Sequence, residues 1–167
     1  MKNLALLAAL FAAPAYAAPL SQNEAMAAYQ AAGIKAVGID KAVDDCGAPA
    51  KPALDRIALG GVVGEAVKIE IDSRTCYDRL GKHIWLLKQE GRSFKVIFEA
   101  KTLAVTQLSA AHNSVADIKL TMPDYDQPIW IWDGAKYIFS KNVPKRYSFV
   151  WQTASILFPS GSRTKAA

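Results

Sequence analysis

The sequence predicts a mainly β domain of the α+β class: an antiparallel meander sheet of about 6–8 strands, one N-terminal helix packed on it, and a single disulfide. Three observations carry this expectation. Residues 84–139 are a run of short apolar segments separated by turn signals, and Asp133-Gly134 reverses the last hairpin. One alanine-rich stretch has both a helix start and a helix stop. Two cysteines, Cys46 and Cys76, follow a leader that reads as an export signal.

The leader is short and basic at Met1-Lys-Asn3 and apolar over 4–13, the length of a secretory h-region rather than a membrane span. Ala15-Tyr-Ala17 supplies the small-x-small cleavage pattern. Residues 1–17 are therefore expected to be a signal peptide, and the mature chain to be periplasmic or secreted. With no cysteine at the junction, a lipoprotein is not expected. Removing these residues from 167 leaves 150, which suits one domain over 18–158 followed by a polar tail at 159–167. The mature balance of 19 basic and 15 acidic residues favours anionic partners such as an acidic protein, anionic lipid or peptidoglycan. Nucleic acid is not expected, because the basic residues are scattered.

In an oxidising compartment Cys46 and Cys76 are expected to pair. Closing a loop of about 30 residues would stabilise the fold by roughly 3.5 kcal/mol in the chain-entropy model. Their spacing suits neither a zinc site nor a Cys-x-x-Cys redox pair, and no cofactor is expected.

Along the mature chain, Ser21-Gln-Asn-Glu24 is a capping box and Gly33 a left-handed stop, so a helix is predicted over 22–32 with Met26 and Tyr29 on the sheet. Residues 34–45 suit one or two short strands, and 47–52 a loop. Residues 56–59 suit another strand, broken by Gly60-Gly61. Residues 67–72 alternate cleanly, with Val67, Ile69 and Ile71 inward. Ile84-Trp-Leu-Leu87 is apolar on both faces and predicts a central strand covered on each side, with the helix over one of them. The next segment returns with Phe94, Val96 and Phe98 on one face and Lys95, Ile97 and Glu99 on the other. Segments at 102–109, 116–122, 129–132 and 136–140 complete the meander. Residues 147–158 start like a strand and continue with a spacing that permits a helix; at about a dozen residues they are too short to span a bilayer.

Four groups of residues are candidates for function. Trp130 and Trp132 share one face of their strand and Ile129 and Ile131 the other. Either the strand is covered on both sides, or one pair is an exposed patch. With Tyr125, Lys136 and Tyr137 nearby, the tryptophans form a candidate binding surface of aromatic anchors with a basic rim. Asp124, Asp126 and Asp133 are a dense carboxylate group, but Pro123 and Pro128 on either side favour a solvated turn. His83 and His112 read as surface or turn histidines. Ser109, Ser114 and Asp117 lie near His112 in sequence, too close along one loop to converge as a triad.

The order of alanine-rich helix, cysteine, Cys76-Tyr77, the 84–87 strand, Asp117-Ile118 and Trp132-Asp-Gly-Ala-Lys-Tyr137 resembles a loose group of small exported proteobacterial β-proteins. In that group paired cysteines recur with a late Trp-Asp/Asn-Gly-x-x-Tyr hairpin. Members often carry a calcium-type loop before the second cysteine; the matching stretch here, 55–65, has lost nearly all its oxygen ligands, so no metal is expected. Some similar proteins are lysozyme inhibitors or immunity proteins. The resemblance therefore implies a non-enzymatic periplasmic binding protein, an inhibitor or immunity protein against a secreted cell-wall-acting effector. An acidic effector is electrostatically easier than a basic lysozyme. The alternatives are an envelope structural or ligand-binding protein contacting anionic lipid or peptidoglycan, and a hydrolase using Asp124, Asp126 or His112.

Overall fold

A computed structural model describes residues 19–145. The expected signal peptide at 1–17, the segment 147–158 and the tail at 159–167 lie outside the described residues. Within them the chain is mainly β, with one long helix at its start.

Helix α1 (Gln22–Ala31) begins with the expected reciprocal cap: the Ser21 hydroxyl accepts from the Glu24 amide, and the Glu24 carboxylate accepts from the Ser21 amide at 2.9 Å. The Ser21 amide, and then the Ser21 hydroxyl, which donates to the same carboxylate oxygen at 2.8 Å, hold the Glu24 carboxyl below the usual carboxylate range. Three short strands follow, β1 (Ala36–Gly38), β2 (Lys41–Val43) and β3 (Pro49–Ala50), forming a small antiparallel sheet. Strand β3 falls inside the predicted 47–52 loop. Its one proline, Pro49, opposes Val43 at the end of this two-residue pairing, where a missing N–H is tolerated.

The rest of the chain is an up-and-down succession of eight strands. Strands β4 (Pro52–Gly60), β5 (Gly64–Asp72), β6 (Lys82–Glu90) and β7 (Ser93–Thr102) form one four-stranded antiparallel sheet, neighbours in sequence pairing throughout. Strands β8 (Ala104–His112), β9 (Val115–Thr121), β10 (Gln127–Trp132) and β11 (Tyr137–Val143) form a second. The meander is thus divided after β7, where only Leu103 separates the strands. Thr102, fully buried, donates its hydroxyl to the Thr121 carbonyl at 2.8 Å, and the Leu103 amide donates to the same oxygen. These bonds satisfy the backbone at the corner, so the chain can leave one sheet and start the next.

The two sheets pack face to face, and α1 with the small sheet covers the other face of the first. Two clusters of buried side chains result. One joins Ala25, Ala28 and Tyr29 of α1 to Val67, Ile69, Ile71, Trp85 and Leu87. The other joins Ala66, Leu86, Ile97 and Phe98 to Ile118, Leu120, Trp132 and Tyr137 of the second sheet. Strand β6 is therefore covered on both faces, as its composition predicts, with α1 over one of them. Tyr29 reaches across to donate to the Ile39 carbonyl at 2.6 Å, and its burial pushes the phenol up to about 12.

Two local devices set this packing. The β8–β9 hairpin turns on Asn113 and Ser114, both with positive φ (51° and 64°), the geometry that matches strand twist in a two-residue loop. Its tip sits on the β4–β5 turn at Gly61, where a Cβ would approach the Ser114 carbonyl carbon and oxygen to 2.8 Å, so only glycine fits. The second device is a bulge in β7. Leu86 opposes Phe98 and Leu87 opposes Val96, leaving Ile97 as an extra residue. The predicted alternation through Phe94, Val96 and Phe98 therefore breaks: Phe94 and Val96 face the helix layer, whereas Ile97 and Phe98 both join the second cluster.

Candidate functional site

Cys46 and Cys76 are joined, with Cα atoms 5.7 Å apart. Cys76 lies in a one-turn helix, α2 (Arg74–Tyr77), whose Ser73 cap accepts from the Cys76 amide. The same hydroxyl donates to Asp44 Oδ2 at 2.7 Å, while Asp44 Oδ1 accepts from the amides of Cys46 and Ala48 at 3.0 and 2.9 Å. Asp44 is buried, and the Ser73 hydroxyl, then the Ala48 amide, hold its carboxyl below the usual range. This polar clamp ties both halves of the disulfide to the small sheet. Asp44, Cys46 and Cys76 cluster closely enough to suggest metal ligands, but the sulfurs are bonded to each other and offer no thiolate.

Beside the clamp lies a cleft of about 290 Å³ between the small sheet and the first large sheet, with Asp45, His83, Trp85 and Glu99 in its walls. His83 was expected at the surface; it is buried on β6, because its ring stacks on Trp85 at 3.7 Å between centroids. Its Nδ1 meets Asp45 Oδ2 at 3.0 Å and its Nε2 meets Glu99 Oε1 at 2.9 Å. Each ring nitrogen of His83 thus faces a carboxylate oxygen on a different strand or loop. Lys101 also reaches Asp45, at 3.1 Å. The β7 bulge is what turns Glu99 and Lys101 to this face.

The other histidine, His112, is exposed at the end of β8, and its Nδ1 contacts the buried Asp117 at 2.7 Å across the hairpin. Among the described residues no hydrogen bond joins it to Ser109 or Ser114. Asp124 lies in an exposed turn and pairs with Arg79 at 3.0 Å. Asp133 accepts from the amides of Ala135 and Lys136 at 2.7 and 2.8 Å; the Lys136 amide, then the Ala135 amide, keep its carboxyl below the usual range. It therefore shapes a four-residue hairpin loop rather than a two-residue turn.

The predicted aromatic surface divides. Trp132 is 2% exposed and Tyr137 3%, both in the core between the sheets, and the Tyr137 hydroxyl donates to the Ala116 carbonyl at 2.6 Å. Burial pushes the Tyr137 phenol far up. Trp130 is half-buried against Phe98, edge to face at 5.3 Å, and shares a groove of about 200 Å³ with Phe98, Glu99 and the exposed Lys136. Tyr125 is exposed at the opposite end of β10, away from this groove. Trp132 and Tyr137 thus cannot contact a partner directly; they are props beneath the hairpin. Their own register shows why: Trp130 opposes Ile118 and Phe139, and Trp132 opposes Tyr137, all on the inner face.

The opposite face of the same hairpin is the open one. Ile131 opposes Ile138, Ile129 opposes both Lys141 and Lys119, and Gln127 opposes Val143, which puts all of them on the outer side of the second sheet. Ile129 and Ile131 are half-buried there, while Ile138 and Val143 are exposed. Among the described residues, strand β11 is also the edge of its sheet. An apolar groove of about 560 Å³ ends this face, with Lys119, Met122, Gln127, Val143 and Pro144 in its walls. The sequence signal for this surface was present in the alternation of Ile and Trp; which of the two faced out depended on the layer the strand joined.

No protein-family model, curated protein or solved structure gives a significant match to the chain.

Proposed function

We propose that the protein is a non-enzymatic binding protein of the periplasm that captures an acidic protein partner, as an inhibitor or immunity protein does, on the outer face of its last hairpin. The observation that carries this reading is the apolar strip Ile129, Ile131, Ile138 and Val143, set between Lys119 and Lys141 on a rigid two-sheet base. Apolar anchors with a cationic rim suit a partner that combines an apolar contact with carboxylates. Among the described residues β11 is an edge strand, whose outer backbone groups suit the addition of a partner strand. The histidines support the same reading, since His83 is held between two carboxylates and His112 against one, as structural ties.

The test is capture from an envelope extract with immobilised protein. Wild type should retain an acidic protein in a salt-dependent manner, and both Ile138→Asp and Lys141→Glu should lose it at least tenfold while keeping the wild-type melting temperature. Equal retention by the folded variants would sink the proposal. Retention of purified peptidoglycan or anionic vesicles, with no protein captured, would replace the partner with an envelope polymer or lipid.

A further inference from the structure

The polar clamp around the disulfide holds a third ligand atom beside the two sulfurs. A carboxylate oxygen of Asp44, Cys46 Sγ and Cys76 Sγ lie within 4.8 Å of one another, and Asp44 is only 6% exposed. The sequence shows two cysteines 30 positions apart, and it is the fold that supplies the carboxylate. Every disulfide is preceded by two thiols, so this chain passes through a form in which both sulfurs are able to ligate. We propose that, before the disulfide closes, Asp44, Cys46 and Cys76 bind one zinc-type divalent ion, which disulfide formation then expels. The site is independent of the docking face on the last hairpin.

Two thiolates and one carboxylate select a borderline ion such as Zn2+ over Mg2+ or Ca2+, which take oxygen ligands. Zn–S bonds of ~2.3 Å and Zn–O bonds of ~2.0–2.2 Å place tetrahedral ligands ~3.6–3.8 Å apart. The three atoms already lie close to that spacing, and with the cysteine Cα atoms 5.7 Å apart the sulfurs can part by side-chain rotation. The carboxylate is prepared for the role. The Ser73 hydroxyl, then the Ala48 amide, keep it ionised into acid. The amides of Cys46 and Ala48 fix its Oδ1, while Oδ2 accepts one bond, from Ser73, and keeps a lone pair for an ion. Cys46 is exposed, which admits the ion, a water in the fourth position and later an oxidant. Binding releases the two thiol protons. An incoming disulfide then takes two electrons from the bound sulfurs and leaves as two thiols after taking up two protons; Cys46 and Cys76 join, and the ion departs. Until that exchange, the ion fastens the small sheet to α2 as the disulfide does afterwards.

The test uses the full chain, reduced and kept free of oxygen, with Zn2+ as the probe. Reduced wild type should carry one ion per chain through gel filtration, and the oxidised protein none. X-ray absorption of the zinc complex should show two sulfurs at ~2.3 Å and otherwise oxygen ligands at ~2.0–2.2 Å. In competition with a chelator, Asp44→Asn should weaken binding at least tenfold, whereas Asp45→Asn should leave it unchanged. Adding a disulfide oxidant should release the ion as the cross-link forms. No retention by the reduced chain, retention by the oxidised protein, one ion shared between two chains, or a sulfur count other than two would overturn the proposal. So would equal affinity of Asp44→Asn and wild type. The absorption measurement needs no variant, so it decides the matter even where reduced Asp44→Asn does not fold.

Discussion

Ile84-Trp-Leu-Leu87 of β6 and Ile129-Trp-Ile-Trp132 of β10 are nearly the same pattern, apolar on both faces with a tryptophan in second place, yet they end in different surroundings. Strand β6 lies in the middle layer: Trp85 and Leu87 meet the helix side, and Leu86 meets the second sheet. Strand β10 lies in the outer layer. Its tryptophans turn inward while Ile129 and Ile131 are left partly open. The difference teaches that apolar composition on two faces sets a demand for cover, whereas the order of layers decides where that demand is met inside the domain and where it is left for something else. On the outer strand the unmet demand is what the proposed docking reading rests on.

The sharpest way to break the comparison is at the buried end of β10. Trp132→Ala should destabilise the protein by about 3–5 kcal/mol, as for other large truncations in a core. The Trp132 indole N–H is buried without a partner among the described residues, so Trp132→Phe removes an unpaired donor and should lose far less. Urea unfolding of both variants measures this; equal losses would mean that the N–H is bonded in solution.

A smaller contrast separates the two strands directly. Leu86→Ala should lower stability by about 2–5 kcal/mol, whereas Ile138→Ala on the open face should change it by about 1 kcal/mol or less. Matching losses in denaturant titration would erase the distinction between covered and open faces.

The smallest effect concerns the clamp that anchors the small sheet over the inner strand. Asp44 is held below its usual range by the Ser73 hydroxyl and the Ala48 amide, so in acid it stays ionised in the fold where the unfolded chain has taken up a proton. Its contribution is fully present above about pH 4, the unfolded carboxyl value, and is lost as pH falls through the lower folded value. Asp44→Asn should therefore show a shallower loss of urea midpoint below about pH 4 than wild type. Parallel profiles would remove Asp44 from the acid response.

Much of this architecture was legible in the residues. The Ser21–Glu24 cap, the inward set Val67, Ile69 and Ile71, and the paired cysteines each depend on neighbours in sequence or on a single covalent choice. What was hidden depends on distant partners. His83 looks like a surface histidine because Asp45 and Glu99 lie 38 and 16 positions away. The division of the meander at Leu103 has no glycine or proline to mark it, and it rests instead on the Thr102 hydroxyl finding the Thr121 carbonyl. Likewise the pattern at 129–132 states that two faces are apolar without stating which lies against Phe98 and Tyr137.

The extra residue at Ile97 works as a phase shifter for the whole of β7. Upstream of it the strand's pleat is set for the helix layer's oily interior; downstream, the same pleat, displaced by one step, delivers Glu99 to the ring of His83 and Lys101 to Asp45, the other carboxylate that ring contacts. One added backbone unit thereby lets a single strand serve a greasy environment at one end and an ionic one at the other, with no loop in between.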